Sequence, residues 1–134
     1  MAGYSGTPLV KKLGITEGLV IFVGSPPTSY FDWISPLPTG VIVKDELCGE
    51  LDFIHLFVNE RKAFINAFLK GKRHLRKSGM LWVSWPKKAS KVPTDLDENV
   101  IRDFGLSAGL VDVKVCAVDD VWSALKFVFR MKDR

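Results

Sequence analysis

LDFIHLFVNERKAFINAFLKGKRHLRKSGMLWVSW, residues 51–85, contains two almost wholly apolar segments joined by an amphipathic one. The outer segments, Leu51–Val58 and Met80–Trp85, have the composition of strands that are covered on both faces. Residues from about 60 to 77 predict a helix, because apolar residues recur there at spacings of three and four: Phe64, Ala67, Phe68, Gly71 and Leu75. A helix of that length can carry the chain back across a sheet. The two strands should therefore be parallel, with a right-handed crossover.

Apolar runs on either side predict the remaining elements. Strands are expected at Leu19–Val23, Val41–Val43, Val111–Val118 and Ser123–Met131, with helices between them. The order is then helix, strand, helix, strand, strand, helix, strand, helix, strand, strand. Only Asp119–Trp122 separates the last two strands, which is too short for a crossover, so this final pair should be antiparallel.

Together these elements predict an α/β fold. We expect a three-layer, Rossmann-like arrangement with a mostly parallel sheet of about six strands and a C-terminal antiparallel hairpin. The chain of 134 residues has the length of one domain. Residues 1–134 are therefore predicted to form a single α/β domain, in which residues 1–7 are loosely ordered.

Capping residues and glycines predict where the two longer helices begin and end. Asn59 is the expected cap of the crossover helix, and Thr94 or Asp95 is the expected cap of the next one. Gly105 and Gly109 should end that second helix, because glycine is common just beyond a helix C-terminus.

Composition excludes some classes of protein. No apolar run approaches the roughly 20 residues of a membrane span, and the N-terminal residues lack the charged and apolar regions of a signal peptide. Cys48 and Cys116 are too few for a disulfide framework and fall in or beside predicted strands, so buried free thiols are expected. Cytoplasmic residence follows as the default. The net charge of +4 permits an anionic ligand without requiring nucleic acid.

Parallel strands followed by an antiparallel terminal hairpin resemble the sheet of class I methyltransferases, which bind S-adenosylmethionine. The resemblance covers about residues 18–130 and is one of architecture. It implies a cofactor loop at Gly24–Pro27 and a ribose-binding acid at Asp45 or Glu46. The loop departs from the family pattern, because it has one glycine and its two prolines lack backbone N–H donors.

Three segments have a closer resemblance elsewhere. They are AGYSGTPLVKKLGI at residues 2–15, WVSWPKKAS at residues 82–90 and KVCAVDDVWSAL at residues 114–125. Together they resemble the bacterial family catalogued as domain of unknown function 3052. This resemblance spans nearly the whole chain and implies no established activity.

Topology predicts where a ligand would bind. In an open parallel sheet, ligands bind beyond the carboxyl ends of the strands. Those ends are followed here by Gly24–Ser25, Asp45–Glu46, Asn59–Glu60 and Trp85–Lys88, and the turn Asp119–Trp122 should fall at the same edge. The candidate ligand-binding residues are Gly24, Ser25, Asn59, Trp85, Lys87, Lys88, Ser90, Lys91, Asp119, Asp120 and Trp122.

The lysine-rich loop after the fourth strand is the most suggestive part of this edge. Lys87, Lys88 and Lys91 lie beside Ser90, and ammonium groups next to a hydroxyl can hold a phosphate or a carboxylate. The alternative is an exposed basic loop.

Other candidates also have structural explanations. Trp85 or Trp122 either supplies a stacking face for a ligand or lies in the core. His55, inside a predicted buried strand, is expected to be a core histidine. A cluster at the end of the crossover helix complements the helix dipole, and the alternative of a nucleic-acid patch is not favoured because no aromatic residues are interleaved with it. That cluster consists of Lys70, Lys72, Arg73, His74, Arg76 and Lys77.

No catalytic pattern is recognisable. Two histidines and two cysteines in four separate segments do not have the spacing of a metal site, and neither a Gly-x-Ser-x-Gly elbow nor a phosphate-binding loop signature occurs. No catalytic residue, metal or cofactor is predicted. S-adenosylmethionine is the cofactor that the methyltransferase resemblance would require.

Three functions compete on this basis. The leading hypothesis is a non-enzymatic α/β domain that binds a small anionic ligand or a protein partner, without contact with a membrane. The first alternative is a reduced S-adenosylmethionine-dependent methyltransferase. The second is a structural or oligomerising module that uses Tyr30, Phe31 and Trp33 as an interface. Filling of the crevice beside Gly24 by these aromatic residues would count against the enzyme.

Overall fold

A computed structural model describes residues 7–134 of the chain. Its α-helices are α1 (Leu9–Leu13), α2 (Tyr30–Trp33), α3 (Arg61–His74) and α4 (Glu98–Ser107). Its strands are β1 (Val20–Gly24), β2 (Ile42–Lys44), β3 (Leu51–Phe57), β4 (Leu75–Pro86), β5 (Leu110–Ala117) and β6 (Trp122–Phe129). Apart from two additional short 3-10 helices, this is the element order that the sequence predicts. The loose order expected for residues 1–7 concerns positions that, Thr7 excepted, lie outside the described residues.

The strands form one six-stranded sheet in the order β2-β1-β3-β4-β6-β5. β1 pairs in parallel with β2 and β3, and β3 pairs in parallel with β4. β6 runs antiparallel between β4 and β5. The α/β class, the mostly parallel sheet and the antiparallel C-terminal hairpin are therefore confirmed. Because the chain moves from β1 to one edge and from β3 toward the other, the strand order reverses between β1 and β3.

Both faces of the sheet are covered. Side chains alternate along β3, so Phe53 and Phe57 join one apolar core while Ile54 and Leu56 join the other. Residues of α1 and α2 complete the first core, and residues of α3 and α4 complete the second. Two-sided burial explains why the sequence of β3 is almost wholly apolar rather than alternating.

The crossover helix is shorter than its apolar stripe predicts. α3 ends at His74, and β4 already includes Arg76 and Lys77, which the sequence assigns to the helix. These first strand residues are mostly exposed, so only the covered part of β4, Met80–Trp85, has the apolar composition that marks a buried strand.

Asn59 does not cap α3, contrary to the prediction. Glu60 occupies the cap position without a side-chain hydrogen bond, and the N–H of Arg61 donates to Oδ1 of Asp95 at 2.6 Å. The donor and the acceptor are 34 residues apart. A cap that comes from another loop leaves no signal near the helix itself, which is why the local rule chose Asn59.

The cap predicted for α4 is also wrong by a few residues. Asp97, rather than Thr94 or Asp95, accepts the N–H of Val100 at 2.8 Å. The Thr94 hydroxyl instead accepts the N–H of Leu96 at 3.1 Å and so belongs to the turn before the helix.

The two glycines expected to end α4 have different roles. Gly109 follows the helix with a φ of 97°, a left-handed conformation that favours glycine. Gly105 lies inside the helix, where a Cβ would be only 2.1 Å from Cε1 of Phe127 on β6. Gly105 is therefore a close-packing residue rather than a helix terminator.

The two thiols lie in different environments. Both are free, but Cys116 on β5 is partly buried while Cys48 is exposed in the loop between β2 and β3. The prediction of a buried thiol is wrong for Cys48, because β2 ends at Lys44 and leaves Cys48 in an exposed loop rather than in a buried strand. None of the described helices has both the length and the apolar character that crossing a bilayer would require.

Candidate functional site

The carboxyl ends of β1 and β3 lie side by side. Gly24, the last residue of β1, pairs with Leu56 near the end of β3. Asn59 follows two residues after β3 and is exposed, while its carbonyl oxygen accepts the Thr94 hydroxyl at 2.7 Å. The predicted residues Gly24, Ser25 and Asn59 therefore occupy neighbouring positions at the point where the strand order reverses.

The ends of β4 and β6 continue the same edge. Pro86 pairs with Trp122, and the N–H of Lys87 donates to the carbonyl oxygen of Val121 at 2.7 Å. The lysine-rich loop and the hairpin turn Asp119–Trp122 are thus hydrogen-bonded neighbours, as the predicted topology requires.

The loop after β1 turns sharply and is tightly packed. A Cβ on Gly24 would lie 3.1 Å from Cδ2 of Leu56 and 3.4 Å from Cε2 of Phe22. Ser25 has a φ of 52°, which is uncommon for residues other than glycine. Pro26–Pro27 then contribute no backbone N–H groups. The loop therefore offers fewer donors to a ligand than a glycine-rich loop would.

Acidic residues follow β2 at this edge. Asp45 and Glu46 are both exposed, and neither forms an ion pair with any of residues 7–134. They lie about 20 residues after Gly24, the spacing at which an acid binds the ribose in dinucleotide-binding folds.

The three lysines of the predicted anion site are available. Lys87 is half-buried, whereas Lys88 and Lys91 are exposed. Within the described part of the chain, no ion pair joins any of them to a carboxylate. The nearby acids of the hairpin turn therefore leave the positive charge of this loop uncompensated by direct contact.

Two other candidate residues are used to shape their own turns. The Ser90 hydroxyl donates to the carbonyl oxygen of Lys87 at 2.6 Å and accepts the N–H of Val92 at 3.3 Å. Oδ1 of Asp119 accepts the N–H groups of Val121 and Trp122 at 2.9 and 2.8 Å. Asp120, by contrast, is exposed. Ser90 and Asp119 thus hold the backbone that presents their neighbours.

The tryptophans differ from each other. Trp85 is only 6% exposed and belongs to the core under α3 and α4, so of its two alternatives the core position is the one observed, and Trp85 offers no stacking face to a ligand. The cause is the alternation of β4, which points this position into that core. Trp122 is half-buried, with its ring edge-on to Phe57 at 5.0 Å between centroids.

A buried polar chain lies beneath this edge. The Tyr30 hydroxyl is 2.8 Å from Nδ1 of His55, and Nε2 of His55 is 2.7 Å from Oγ of Ser84. All three residues are fully buried. His55 is therefore the satisfied core histidine that the sequence predicts, although its two partners, 25 and 29 residues away, were not foreseen.

Burial controls the ionisation of this chain. Desolvation lowers the pKa of His55 from 6.5 to about 3, so the imidazole is neutral at physiological pH. Desolvation, with a smaller contribution from Cys116, raises the pKa of the Tyr30 phenol well above its usual value of 10.0. Neutral groups with complete hydrogen bonding form a structural network, and their burial removes them from contact with a ligand.

The aromatic residues of α2 fill space over β3. The Tyr30 ring packs edge-on against His55 and Phe57, at 5.2 and 5.3 Å between centroids. Tyr30 is fully buried, so it is not available for the interface that the oligomerising alternative requires. Phe31, at 39% exposed, is the apolar residue of α2 that remains most accessible.

Among residues 7–134, no group of three or more histidine, cysteine or acidic residues is placed to hold a metal ion. No family model matches the chain, so the resemblance to domain of unknown function 3052 gains no support from that comparison. No curated protein matches it in sequence either.

Solved structures of methyltransferases have the same architecture. A putative type 11 methyltransferase from Sulfolobus solfataricus superposes with a TM-score of 0.63 at 14% identity, covering 94% of this chain and 90% of that one. Ribosomal protein L11 methylase from Lactobacillus delbrueckii subsp. bulgaricus gives a TM-score of 0.61 at 9% identity, with 90% and 74% covered. Aeropyrum pernix fibrillarin, solved with natively bound S-adenosyl-L-methionine, gives 0.58 at 13% identity, with 94% and 70% covered.

These likenesses concern the fold, since the identities are low. The mostly parallel six-stranded sheet with its antiparallel C-terminal strands superposes on those structures over 90–94% of this chain. The chain therefore has the Rossmann-like α/β fold of S-adenosylmethionine-dependent methyltransferases.

Proposed function

We propose that the chain is a reduced S-adenosylmethionine-dependent methyltransferase domain whose nucleoside site lies at the carboxyl edge of the sheet. The observation that carries this proposal is the sheet order, which reverses between β1 and β3. Ligands of open α/β sheets bind at such a reversal. The methyltransferases of the same architecture, one of them with S-adenosyl-L-methionine bound, support the choice of ligand.

Some residues at this edge fit the cofactor better than others. Asp45 and Glu46 are exposed acids that can accept hydrogen bonds from ribose hydroxyls. The β1 loop fits less well, because Pro26–Pro27 lack donors and Gly24 is already packed against Leu56. We therefore expect weak binding, with a Kd above the micromolar range, and assign no residue of this edge to methyl transfer.

Calorimetric titration with S-adenosylmethionine and S-adenosylhomocysteine tests this proposal. We expect saturable binding that weakens about tenfold or more in the double variant Asp45→Asn, Glu46→Gln, since hydrogen bonds to charged groups contribute about 1.5–3 kcal/mol each. Glu17→Gln, an exposed acid before β1, is the matched control and should bind like the wild type.

Two results would count against this assignment. An absence of saturable binding at millimolar ligand would contradict the cofactor site. Unchanged affinity in the double variant would contradict the role of the two acids. Micromolar binding would instead show that the proline-containing loop is no obstacle.

A second function, binding of a small anionic ligand without catalysis, is favoured by the lysine-rich loop. Lys87, Lys88 and Lys91 form no ion pair with any described carboxylate, and ammonium groups of this kind bind phosphate or carboxylate. A protein partner with an acidic surface would satisfy the same charges.

Replacing both Lys87 and Lys88 with Ala separates a site from a solvated loop. If they form a site, phosphate binding detected at this edge by NMR should be lost. The free energy of unfolding should change by only about 1 kcal/mol, because neither lysine forms an ion pair and charges near the surface contribute little. Lys11→Ala on α1 is the control for the loss of a surface charge. Phosphate binding that persists in the double variant would refute the anion site.

A further inference from the structure

A basic groove lies at the opposite edge of the sheet. It is an open cavity of about 550 Å³ between the second half of α3, the start of β4 and the end of β6. Its place at the amino ends of the parallel strands follows from the register, because Leu51 pairs with Leu75 and Leu110 pairs with Phe129. The groove is therefore separate from the candidate nucleoside site.

The charge of this groove has one sign. Among the described residues that line it, four are cationic and none is acidic; the cations are Lys70, Lys72, Arg73 and Lys77. The C-terminus of α3 opposes them with roughly half a negative charge. Four positive charges exceed that by far, so the groove attracts anions.

Two of the four cations have partners within the fold. The ammonium group of Lys72 donates to the carbonyl oxygen of Ala108 just beyond α4. Nζ of Lys77 lies 4.3 Å from the centroid of the Phe129 ring, a cation–π contact that holds the charge at the groove wall. Neither contact neutralises a charge, because neither partner is an anion.

The other two cations are available. The side chains of Lys70 and Arg73 form no hydrogen bond and no ion pair with any of residues 7–134. This contrasts with Arg76, next to the groove, which contacts Glu50 at 3.3 Å and Asp52 at 3.2 Å. Lys70 and Arg73, three residues apart on one face of α3, can thus close on one anion.

The groove also has an apolar part. Leu69 is 45% exposed, and Leu75 and Phe129 lie buried behind it. Phe129 is only 4% exposed, so it offers no face on which nucleic-acid bases could stack. An occupant with one anionic end and a small apolar body matches both parts.

We propose that this groove binds a phosphate ester, with the phosphate held between Lys70 and Arg73 and the organic group against Leu69. The planar guanidinium of an arginine donates two parallel hydrogen bonds to phosphate oxygens, and the flexible lysine supplies a second charge. Lys77, held over Phe129, adds a third positive charge to the same cavity.

Titration with phenyl phosphate and with inorganic phosphate, followed by NMR, tests the proposal. The double variant Lys70→Gln, Arg73→Gln should bind phenyl phosphate at least about tenfold more weakly than the wild type. The matched control is the double variant Arg61→Gln, Lys62→Gln. It also removes one arginine and one lysine charge, but from the exposed start of α3, and it should bind phenyl phosphate like the wild type. Leu69→Ser should weaken binding of phenyl phosphate but not of inorganic phosphate.

The outcomes distinguish the proposal from general attraction of anions. Equal affinity in the wild type and the Lys70, Arg73 variant would overturn it, as would equal losses in that variant and the control. Binding of single-stranded oligouridylate at this groove without binding of phenyl phosphate would also overturn it. Co-sedimentation of the wild type with phosphatidic acid vesicles, abolished in the Lys70, Arg73 variant, would identify the phosphate ester as a lipid headgroup. Binding of phenyl phosphate without co-sedimentation would identify it as a soluble phosphate ester.

Discussion

The wild-type protein is expected to lose about 2 kcal/mol of its free energy of unfolding between pH 7 and pH 5 through His55 alone. Burial lowers the folded-state pKa of His55 to about 3, below its ordinary value of 6.5. As the pH falls, the unfolded chain therefore binds a proton first. The contribution of neutral His55 is fully present above pH 6.5 and is lost progressively toward pH 3.

Urea unfolding of His55→Gln over the same pH range measures this contribution. Glutamine does not titrate, so the free energy of unfolding should change less between pH 7 and pH 5 than it does in the wild type. The variant should also be less stable at pH 7, because one of Tyr30 and Ser84 loses its hydrogen-bond partner. His74→Gln, on the last residue of α3, is the control and should keep the loss. If the free energy of unfolding of His55→Gln depends on pH as steeply as that of the wild type, the imidazole of His55 is not the group that causes the loss.

Gly105→Ala is expected to destabilise the protein by about 1–3 kcal/mol or more. In an exposed helix the same change would stabilise by up to about 1 kcal/mol, because alanine is the better helix former. Here the new Cβ would lie 2.1 to 2.8 Å from three ring atoms of Phe127, which is itself fully buried on β6. The helix and the sheet would have to separate.

A double-mutant cycle with Phe127→Leu checks the cause. The smaller side chain leaves room for the Cβ, so the two substitutions together should cost clearly less than the sum of their separate effects. Asp103→Ala, an exposed position of α4, should change stability little. A neutral or stabilising effect of Gly105→Ala would contradict the close packing of α4 on β6.

Topology accounts for what could be foreseen of the candidate site. Buried parallel strands have a strong local signal, and their order fixes which loops meet, so the sequence places Gly24, Asn59 and Lys87 at one edge without any knowledge of side chains. The details of that edge were less predictable. Ser90 and Asp119 are committed to hydrogen bonds in their turns, which depend on backbone geometry rather than on residue type.

Most of the other features that the sequence did not predict depend on contacts between distant segments. Glycine is common at helix ends, so the sequence predicts that Gly105 ends α4. Only the position of Phe127 shows that Gly105 instead allows the helix to pack closely on β6. The cap of α3 comes from Asp95 in another loop. A histidine in an apolar strand and a serine in the next strand, His55 and Ser84, were the available signal for the buried network, but their adjacency depends on the register.

The two positive regions of the protein lie at opposite edges of the sheet. The sequence pattern predicts that the cations of residues 70–77 lie at a solvated helix end. Once β4 begins at Leu75, Lys77 belongs to the sheet and faces Phe129, while Lys70 and Arg73 stay on the helix. That division creates a groove where a continuous helix would have presented only an exposed surface.

The most direct test of the nucleoside site is an NMR titration of ¹⁵N-labelled protein with S-adenosylhomocysteine. Binding at the reversal of strand order predicts chemical-shift changes centred on the amides of Ser25, Glu46 and Asn59, with little change at residues 66–77. Changes confined to residues 66–77, or no saturable change at millimolar ligand, would contradict a nucleoside site at the carboxyl edge.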